Sequence, residues 1–311
     1  MIFLFVFILI LLIYNSSIVI SGASYGLMLW YKNVLPMLLP FMLISGLMVQ
    51  YVSKKQSINK PSTYTYGIFT SIVLGITCGY PIGAKTCADF IKNNSYSSKI
   101  GNILLPLCNN SSPMFISGYI VYRILQQRFS LLFVMLCIYI PYIIVTLLSL
   151  FVLCIADKHC KKTSDHVSLL INRNETPTKT NDIIQSPIHK LSVNDYLLNT
   201  INQITMVGIY IMICSIFIEL INNISYINEP LSSLLSGLIE ITRGVDSINS
   251  LVTIDGKTKT ALIISVTSFG GLSSILQTQM VIEKSGLSII YYSVIKVICA
   301  IMTFFYCILL I

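Results

Sequence analysis

Residues 129–155, 200–223 and 287–311 are apolar almost without interruption, and each run is long enough for the ~20 helical residues that cross a bilayer core. Lipid offers no partners to backbone N–H and C=O groups, so segments of this kind must be helical. The rest of the composition agrees. Of 311 residues, 55% are hydrophobic and 10% charged, where a soluble domain carries roughly 25% charged residues. The expected fold class is an all-α polytopic membrane protein, and nothing in the chain argues for a soluble enzyme.

The net charge of +8 comes from 20 Lys+Arg against 12 Asp+Glu. Basic residues lie in the short polar stretches between apolar runs, where they set membrane orientation. They form no aromatic-studded patch of the kind that binds nucleic acid. Of the nine cysteines only Cys160 lies in a clearly polar segment, no CxxC occurs, and the count is odd, so buried small apolar residues are the better reading than a disulfide framework. His159, His166 and His189 share one polar stretch. Their spacing matches no familiar ligand set, and no metal or other cofactor is expected.

Residues 2–21 read as a first, retained helix. Residues 34–52 carry Pro36, Pro40 and Gly46 and either span or lie at the interface, and the same choice holds for 229–247. Residues 66–78 are apolar and break at Gly79-Tyr80-Pro81-Ile82-Gly83. Each arm is too short to cross at ~1.5 Å per residue, which predicts a re-entrant hairpin through residue 96. Residues 100–124 are interrupted at Asn109-Asn110-Ser111-Ser112-Pro113. Residues 157–192 contain Lys158, Lys161, Lys162, Arg173, Lys179 and Lys190 and read as a cytoplasmic linker. Residues 260–283 repeat the broken-hairpin pattern around Gly270-Gly271-Leu272-Ser273-Ser274. This gives three sections: 1–156, a first membrane repeat with a connecting span; 157–192, the polar loop; and 193–311, a second repeat.

The repeat rests on one register. A shift of 191 residues carries Ser45-Gly46-Leu47-Met48 onto Ser236-Gly237-Leu238-Ile239, and Gly79 onto Gly270. If 34–52 and 229–247 lie at the interface the halves are inverted, and if both span the halves are parallel. Glu240, Arg243 and Asp246 are costly inside a span, and inverted repeats with broken helices are a transporter plan, which favours the inverted form.

Irregular backbone at membrane depth is tolerated where it lines a cavity or is buried in protein. A half-helix that begins after each break presents free N–H groups and a positive dipole end, which favour an anion. The expected site is therefore two opposed hairpin tips. Gly79, Tyr80, Pro81, Gly83, Lys85 and Thr86 form one, Gly270, Gly271, Ser273, Ser274 and Gln277 the other, with Asn109, Asn110, Ser111, Ser112, Glu240 and Arg243 between. Lys85 is the expected charge partner of the anion. Plainer roles stand beside these: Lys85 pairing with Asp89 four residues on, glycines as helix-packing contacts, Asn109–Ser112 repairing the backbone around Pro113, and Glu240 with Arg243 as a structural pair. No nucleophile–base set, phosphate loop or dinucleotide fingerprint is present.

Gly79-Tyr80-Pro81-Ile82-Gly83-Ala84-Lys85, followed by Cys108-Asn109-Asn110-Ser111-Ser112-Pro113-Met114-Phe115-Ile116, closely resembles the YlbJ family, also called SpoVV: sporulation integral membrane proteins with nucleoside-recognition (Gate) domains. Residues 237–244 and Ser268-Phe269-Gly270-Gly271-Leu272-Ser273-Ser274 with Gln277 look like its second-half motifs. That family resembles concentrative nucleoside transporters, with re-entrant hairpins and broken helices around a central site. The resemblance implies transport of dipicolinic acid across the outer forespore membrane, the mother-cell-derived one, and the related transporters suggest a homo-oligomer. Partners implied are dipicolinate, the bilayer and other spore membrane proteins. A nucleoside carrier and a non-transporting scaffold of the spore membranes are the competing readings. Glu219, Glu240 and Asp89 are the acidic residues open to proton coupling, and facilitated diffusion is equally open.

Overall fold

The computed structural model describes residues 2–36, 38–40, 42–44, 63–92, 95–168, 193–223, 228–283 and 285–311, and every regular element among them is helical. The expected first helix is divided. Helix α1 (Ile2–Tyr14) ends at Asn15, and α2 (Ser16–Leu29) continues through a π-helical turn, Trp30–Val34. The division is slight: Asn15 leaves helical geometry (φ −102°, ψ 34°), yet its N–H still donates to the Leu11 carbonyl at 3.1 Å and its carbonyl accepts from Val19 at 3.0 Å, with the Asn15 side-chain amide also donating to Leu11 at 2.9 Å. The repeat motif at residues 45–48 lies outside the described residues.

Helices α3 (Thr63–Cys78) and α4 (Ile82–Lys92) fold against each other across the break. After α4 the chain returns alongside α3, where Ser71, in the middle of that helix, and Tyr96 share a 2.8 Å hydroxyl bond. The break expected at 79–83 is thus a doubling-back of α3 on α4. Next come α5 (Ser98–Cys108), the break at 109–112, and α6, Pro113–Phe115 running on as a π-helical segment over Ile116–Ile124. Ser112 caps α6 by accepting the Phe115 N–H at 3.2 Å, and Pro113 at the first helical position loses no hydrogen bond.

Helix α7 (Leu131–Ser168) is longer than expected. It carries residues 157–168, the first part of the polar segment, as helix. Helix α8 (Val193–Asn222) packs along α2 through a seam of small residues. A Cβ on Gly22 would stand 2.9 Å from the Ile216 Cα, and one on Gly26 2.8 Å from the Met212 Cα. With apolar lipid on every side, such close approach is what holds membrane helices together. The Trp30 indole adds a bond to the Ile204 carbonyl at 3.0 Å.

The second half departs from the expected path. Helices α9 (Glu229–Ile239) and α10 (Ile241–Ser250) double back at Glu240, so close that a Cβ on Gly244 would fall 1.9 Å from the Gly237 Cα. Helices α11 (Gly256–Phe269) and α12 (Gly271–Ile282), expected as a hairpin, instead form together one apolar stretch of crossing length, Gly256–Ile282. Helix α13 (Ile289–Leu310) packs against both. The difference lies in the breaks. Gly79 to Pro81 is a three-residue turn, whereas Gly270 and Gly271, at φ +85° and +77°, make one left-handed step between two helices.

Among the described residues four stretches are long and apolar enough to cross a membrane: Leu131–Ala156, Thr200–Asn222, Gly256–Ile282 and Ile289–Leu310. Leu147, Leu148, Phe151 and Val152 are exposed along α7, as a lipid-facing surface allows. The protein is α-helical and of membrane type, with its polar residues gathered around the breaks.

Candidate functional site

The break at 109–112 is held by side chains from both halves of the chain. The Asn109 carbonyl oxygen Oδ1 accepts the Ala84 N–H of α4 at 3.2 Å, and its Nδ2 donates to Thr278 of α12 at 2.7 Å and to Tyr292 of α13 at 3.0 Å. The Tyr292 hydroxyl in turn donates to the Asn109 backbone oxygen at 3.1 Å. Asn110 donates back to the Pro106 carbonyl at 2.8 Å, which replaces a bond lost where α5 ends. Ser111 donates to the Thr267 carbonyl at 3.0 Å, shares a 3.0 Å hydroxyl bond with Tyr80, and accepts from Tyr139 at its carbonyl, also at 3.0 Å. The tip of the first hairpin is tied to the same break, because the Tyr80 N–H donates to the Asn110 carbonyl at 2.9 Å.

Lys296, in the middle of α13, is fully buried. Its ammonium donates to Asn110 Oδ1 and to the Ser268 carbonyl, both at 2.8 Å. The rings of Tyr142, Tyr292 and Tyr80 lie 5.1, 5.9 and 6.0 Å from it. Among the described residues no carboxylate pairs with it. Ser268 belongs to the last turn of α11, and Asn110 follows the end of α5. Each helix C-terminus carries about half a negative charge, so two helix ends, reached through the Ser268 carbonyl and the Asn110 side chain, and three ring faces take the part of a counterion. Sequence reasoning overlooked this residue. The signal was a lone charge in the otherwise uncharged run 287–311, and an ionisable residue at membrane depth marks a functional or structural centre by default.

Glu240 is buried between α9 and α10. Its two oxygens accept from the Thr242 hydroxyl at 2.9 Å and from the Arg243 N–H at 2.8 Å, so the carboxylate caps α10. The Arg243 guanidinium does not pair with it. It forms an ion pair with Glu219 of α8, donates to the Ser215 carbonyl at 3.0 Å and lies 4.5 Å from the centre of the Tyr25 ring. The expected Glu240–Arg243 pair is thus a backbone cap and a separate ion pair.

A cavity of ≈ 40 Å³ lies where these elements meet. Tyr80, Ser111, Ser112, Glu240, Gly270, Ser273, Ser274 and Gln277 line it, with Val34, Phe115, Val207 and Ile211 on its apolar side. The N-termini of α6, α10 and α12 reach its wall at Ser112, Glu240 and Gly270. Gly79, Pro81, Gly83, Thr86, Asn109, Asn110 and Gly271, also expected at the site, do not line the cavity. Gly83, for one, sits where a Cβ would fall 1.9 Å from the Cys108 carbonyl oxygen, and Thr86 bonds to the Ile82 carbonyl within its own helix at 2.9 Å. Lys85 is half-buried and takes no part in the cavity wall. It makes no direct ion pair with Asp89, since Arg243 with Glu219 is the one ion pair among the described residues. The matching positions Thr86 and Gln277 therefore differ: Gln277 lines the cavity and donates to Ser273 at 3.1 Å, and Thr86 does neither.

Groups of His, Cys, Asp and Glu that could hold a metal ion are absent among the described residues. The wall offers hydroxyls, one amide, one carboxylate and helix N-termini, a set suited to binding a small polar solute. Compared with known proteins, the chain matches no family model, no curated protein and no solved structure.

Proposed function

We propose that this protein is a membrane carrier for a small organic anion, with dipicolinate as the substrate that the resemblance to the YlbJ/SpoVV family implies, acting in the outer forespore membrane during sporulation. The observation that carries the reading is the buried cavity ringed by the N-termini of α6, α10 and α12. A free helix N-terminus carries about half a positive charge; Ser112 caps α6 and the Glu240 carboxylate caps α10, while α12 has no side-chain cap. An uncapped helix end in the wall of a largely apolar pocket with a few hydroxyls and one amide suits a carboxylate on an aromatic ring. The pocket is in a closed state: ≈ 40 Å³ is well short of the ~150 Å³ that holds a benzene-sized guest. Loading requires the wall to open, and Tyr80 and Phe115 are its aromatic rings.

We propose also that the halves descend from one duplicated unit set inverted in the bilayer. Supporting this, an offset of 191 residues carries the end of α3, Cys78, onto the end of α11, Phe269, and the start of α5, Ser98, onto the start of α13, Ile289. Gly79 and Gly270 correspond and both have positive φ, +71° and +85°. The through-running path of α11 and α12 is where the second unit has diverged.

A nucleoside carrier is the second reading. Glu240 and Gln277 line the cavity while Lys85 does not, and a carboxylate with an amide suits the hydroxyls and base edge of a neutral solute.

The test is uptake of labelled dipicolinate into proteoliposomes, with uridine as competitor and Gln277→Leu and Lys85→Ala run alongside. Saturable uptake that uridine does not inhibit, lost in Gln277→Leu and kept in Lys85→Ala, supports an anion carrier with its site at this cavity. Uptake of uridine instead puts the nucleoside reading first. Neither solute moving, from protein shown to be folded, favours the scaffold.

A further inference from the structure

A second, larger space adjoins the cavity. It is an open groove of ≈ 480 Å³ between the end of α2 and α6, walled by Lys32, Asn33, Pro36, Met114, Tyr119 and Arg123, with Gly118 and Tyr122 at its edge. Pockets that hold small molecules run from ~300 to 1,000 Å³, so this groove accommodates a solute that the closed cavity does not. Two cationic side chains from different elements meet in it. No acidic side chain lines it among the described residues, and neither Lys32 nor Arg123 forms an ion pair there.

Groove and cavity are lined by adjacent residues of the same two segments. Asn33 and Met114 line the groove, and their neighbours Val34 and Phe115 line the cavity. The wall is an ordered stack. The Arg123 guanidinium lies 5.1 Å from the Tyr119 ring centre, and that ring stacks on Phe115 at 5.3 Å. The Tyr119 hydroxyl is fixed by Asp246 Oδ2 at 2.9 Å and by the carbonyl of Thr242, itself a cavity residue, at 3.3 Å.

We propose that this groove is an anion-collecting vestibule, with Lys32 and Arg123 drawing a carboxylate substrate in and Phe115, backed by Tyr119, closing the way to the cavity. This rests on the carrier reading above and adds to it the side of access and the residues that select for negative charge. A groove lined by one sign of charge raises the local concentration of the opposite one, and the effect fades with salt. Arg123 has a second role in the stack: an anion that takes its guanidinium draws the cation off the Tyr119 face and loosens the ring that backs Phe115.

The experiment has two arms. In the first, Lys32→Gln, Arg123→Gln and the double variant are reconstituted in neutral phosphatidylcholine vesicles, and dipicolinate uptake is measured against concentration. The double variant is expected to raise the half-saturating concentration about tenfold, with maximal rate within about twofold and the difference lost at high salt. In the second arm, Tyr122→Cys places a reporter at the rim, a position 68% exposed. Its alkylation by an anionic and a cationic thiol reagent is read by peptide mass. The anionic reagent is expected to react faster, dipicolinate to protect, and both effects to vanish in the double charge variant. Equal half-saturation in wild type and double variant overturns the vestibule, as does equal labelling by the two reagents. A charge effect that appears only with anionic lipid present also overturns it, because the cations then serve lipid headgroups. If wild-type protein moves no dipicolinate while the labelling preference and protection persist, the carrier reading fails alone and the groove stands as an anion site.

Discussion

The ammonium of Lys296 donates to the carbonyl oxygen of Ser268 at 2.8 Å, at the turn where α11 gives way to α12. A charge from the last helix is thus seated on the broken end of another. Ser268 keeps a second donor, the Tyr142 hydroxyl at 2.8 Å, whereas Asn110 Oδ1 relies on the lysine. Lys296→Met keeps the apolar stem and strands that one buried acceptor, so a loss of about 1–3 kcal/mol is expected, offset in part by removal of a buried charge. Lys296→Glu sets a carboxylate against two acceptors and is expected to abolish folding. Thermal unfolding in detergent and membrane abundance check the pair, and equal behaviour of Met and Glu would disprove the seat.

Gly270 and Gly83 are small for different reasons, and alanine separates them. At Gly270 the obstacle is φ +85°, with the Ser274 Oγ at 2.8 Å as a movable neighbour. Gly270→Ala is expected to lower stability by about 1–2 kcal/mol. At Gly83 the Cβ would meet backbone, the Cys108 carbonyl oxygen at 1.9 Å, so α4 must move away from α5. Gly83→Ala should be the more damaging of the two in a melting experiment.

Arg243 and Glu219 tie α10 to α8. Removing one partner of a buried pair costs about 3–5 kcal/mol, and Glu219, with its side chain 24% exposed, places this pair toward the lower end. Arg243→Met and Glu219→Leu are each expected to destabilise, and the double variant to recover part of the loss. A double-mutant cycle measures it, and strict additivity would show that the two do not act as a pair.

Asp255 lies outside the spans, at the start of α11, where its carboxylate accepts the Thr258 N–H at 2.9 Å. That bond holds its carboxyl below the usual range. A depressed acid contributes stability above its unfolded value and loses it as pH falls through the folded one. Acidification should therefore fray the first turn of α11, and Asp255→Asn, which keeps a cap, should remove that pH response. Hydrogen exchange at Thr258 as a function of pH provides the check.

What the sequence made legible was decided by local chemistry. Long apolar runs have one solution in lipid, so α7, α8 and α13 were readable within a few residues at their apolar ends. The breaks at Gly79, Asn109 and Gly270 were readable because glycine, proline and asparagine act on their own neighbours. Which polar residue faces which is a property of packing, and there the reading faltered. Lys85 stood beside a break in sequence and drew attention, while Lys296 reached two breaks from a helix that has none. The hairpin of the second half was assigned to 260–283 because its glycines match Gly79. A doubling-back depends on partners as well as on glycines, and it falls at Glu240, where Gly237 and Gly244 allow α9 and α10 to meet.

Asn109 carries a further consequence. Its one side-chain amide is bonded at once to Ala84 of α4, Thr278 of α12 and Tyr292 of α13. None of these helices can shift from the break without severing a bond, and a severed bond leaves polar atoms stranded in a dry interior. Small displacements are therefore resisted and large ones released, as in a latch. An outward shift of α12, which carries Ser273, Ser274 and Gln277 of the cavity wall, therefore has to break the Asn109–Thr278 bond first.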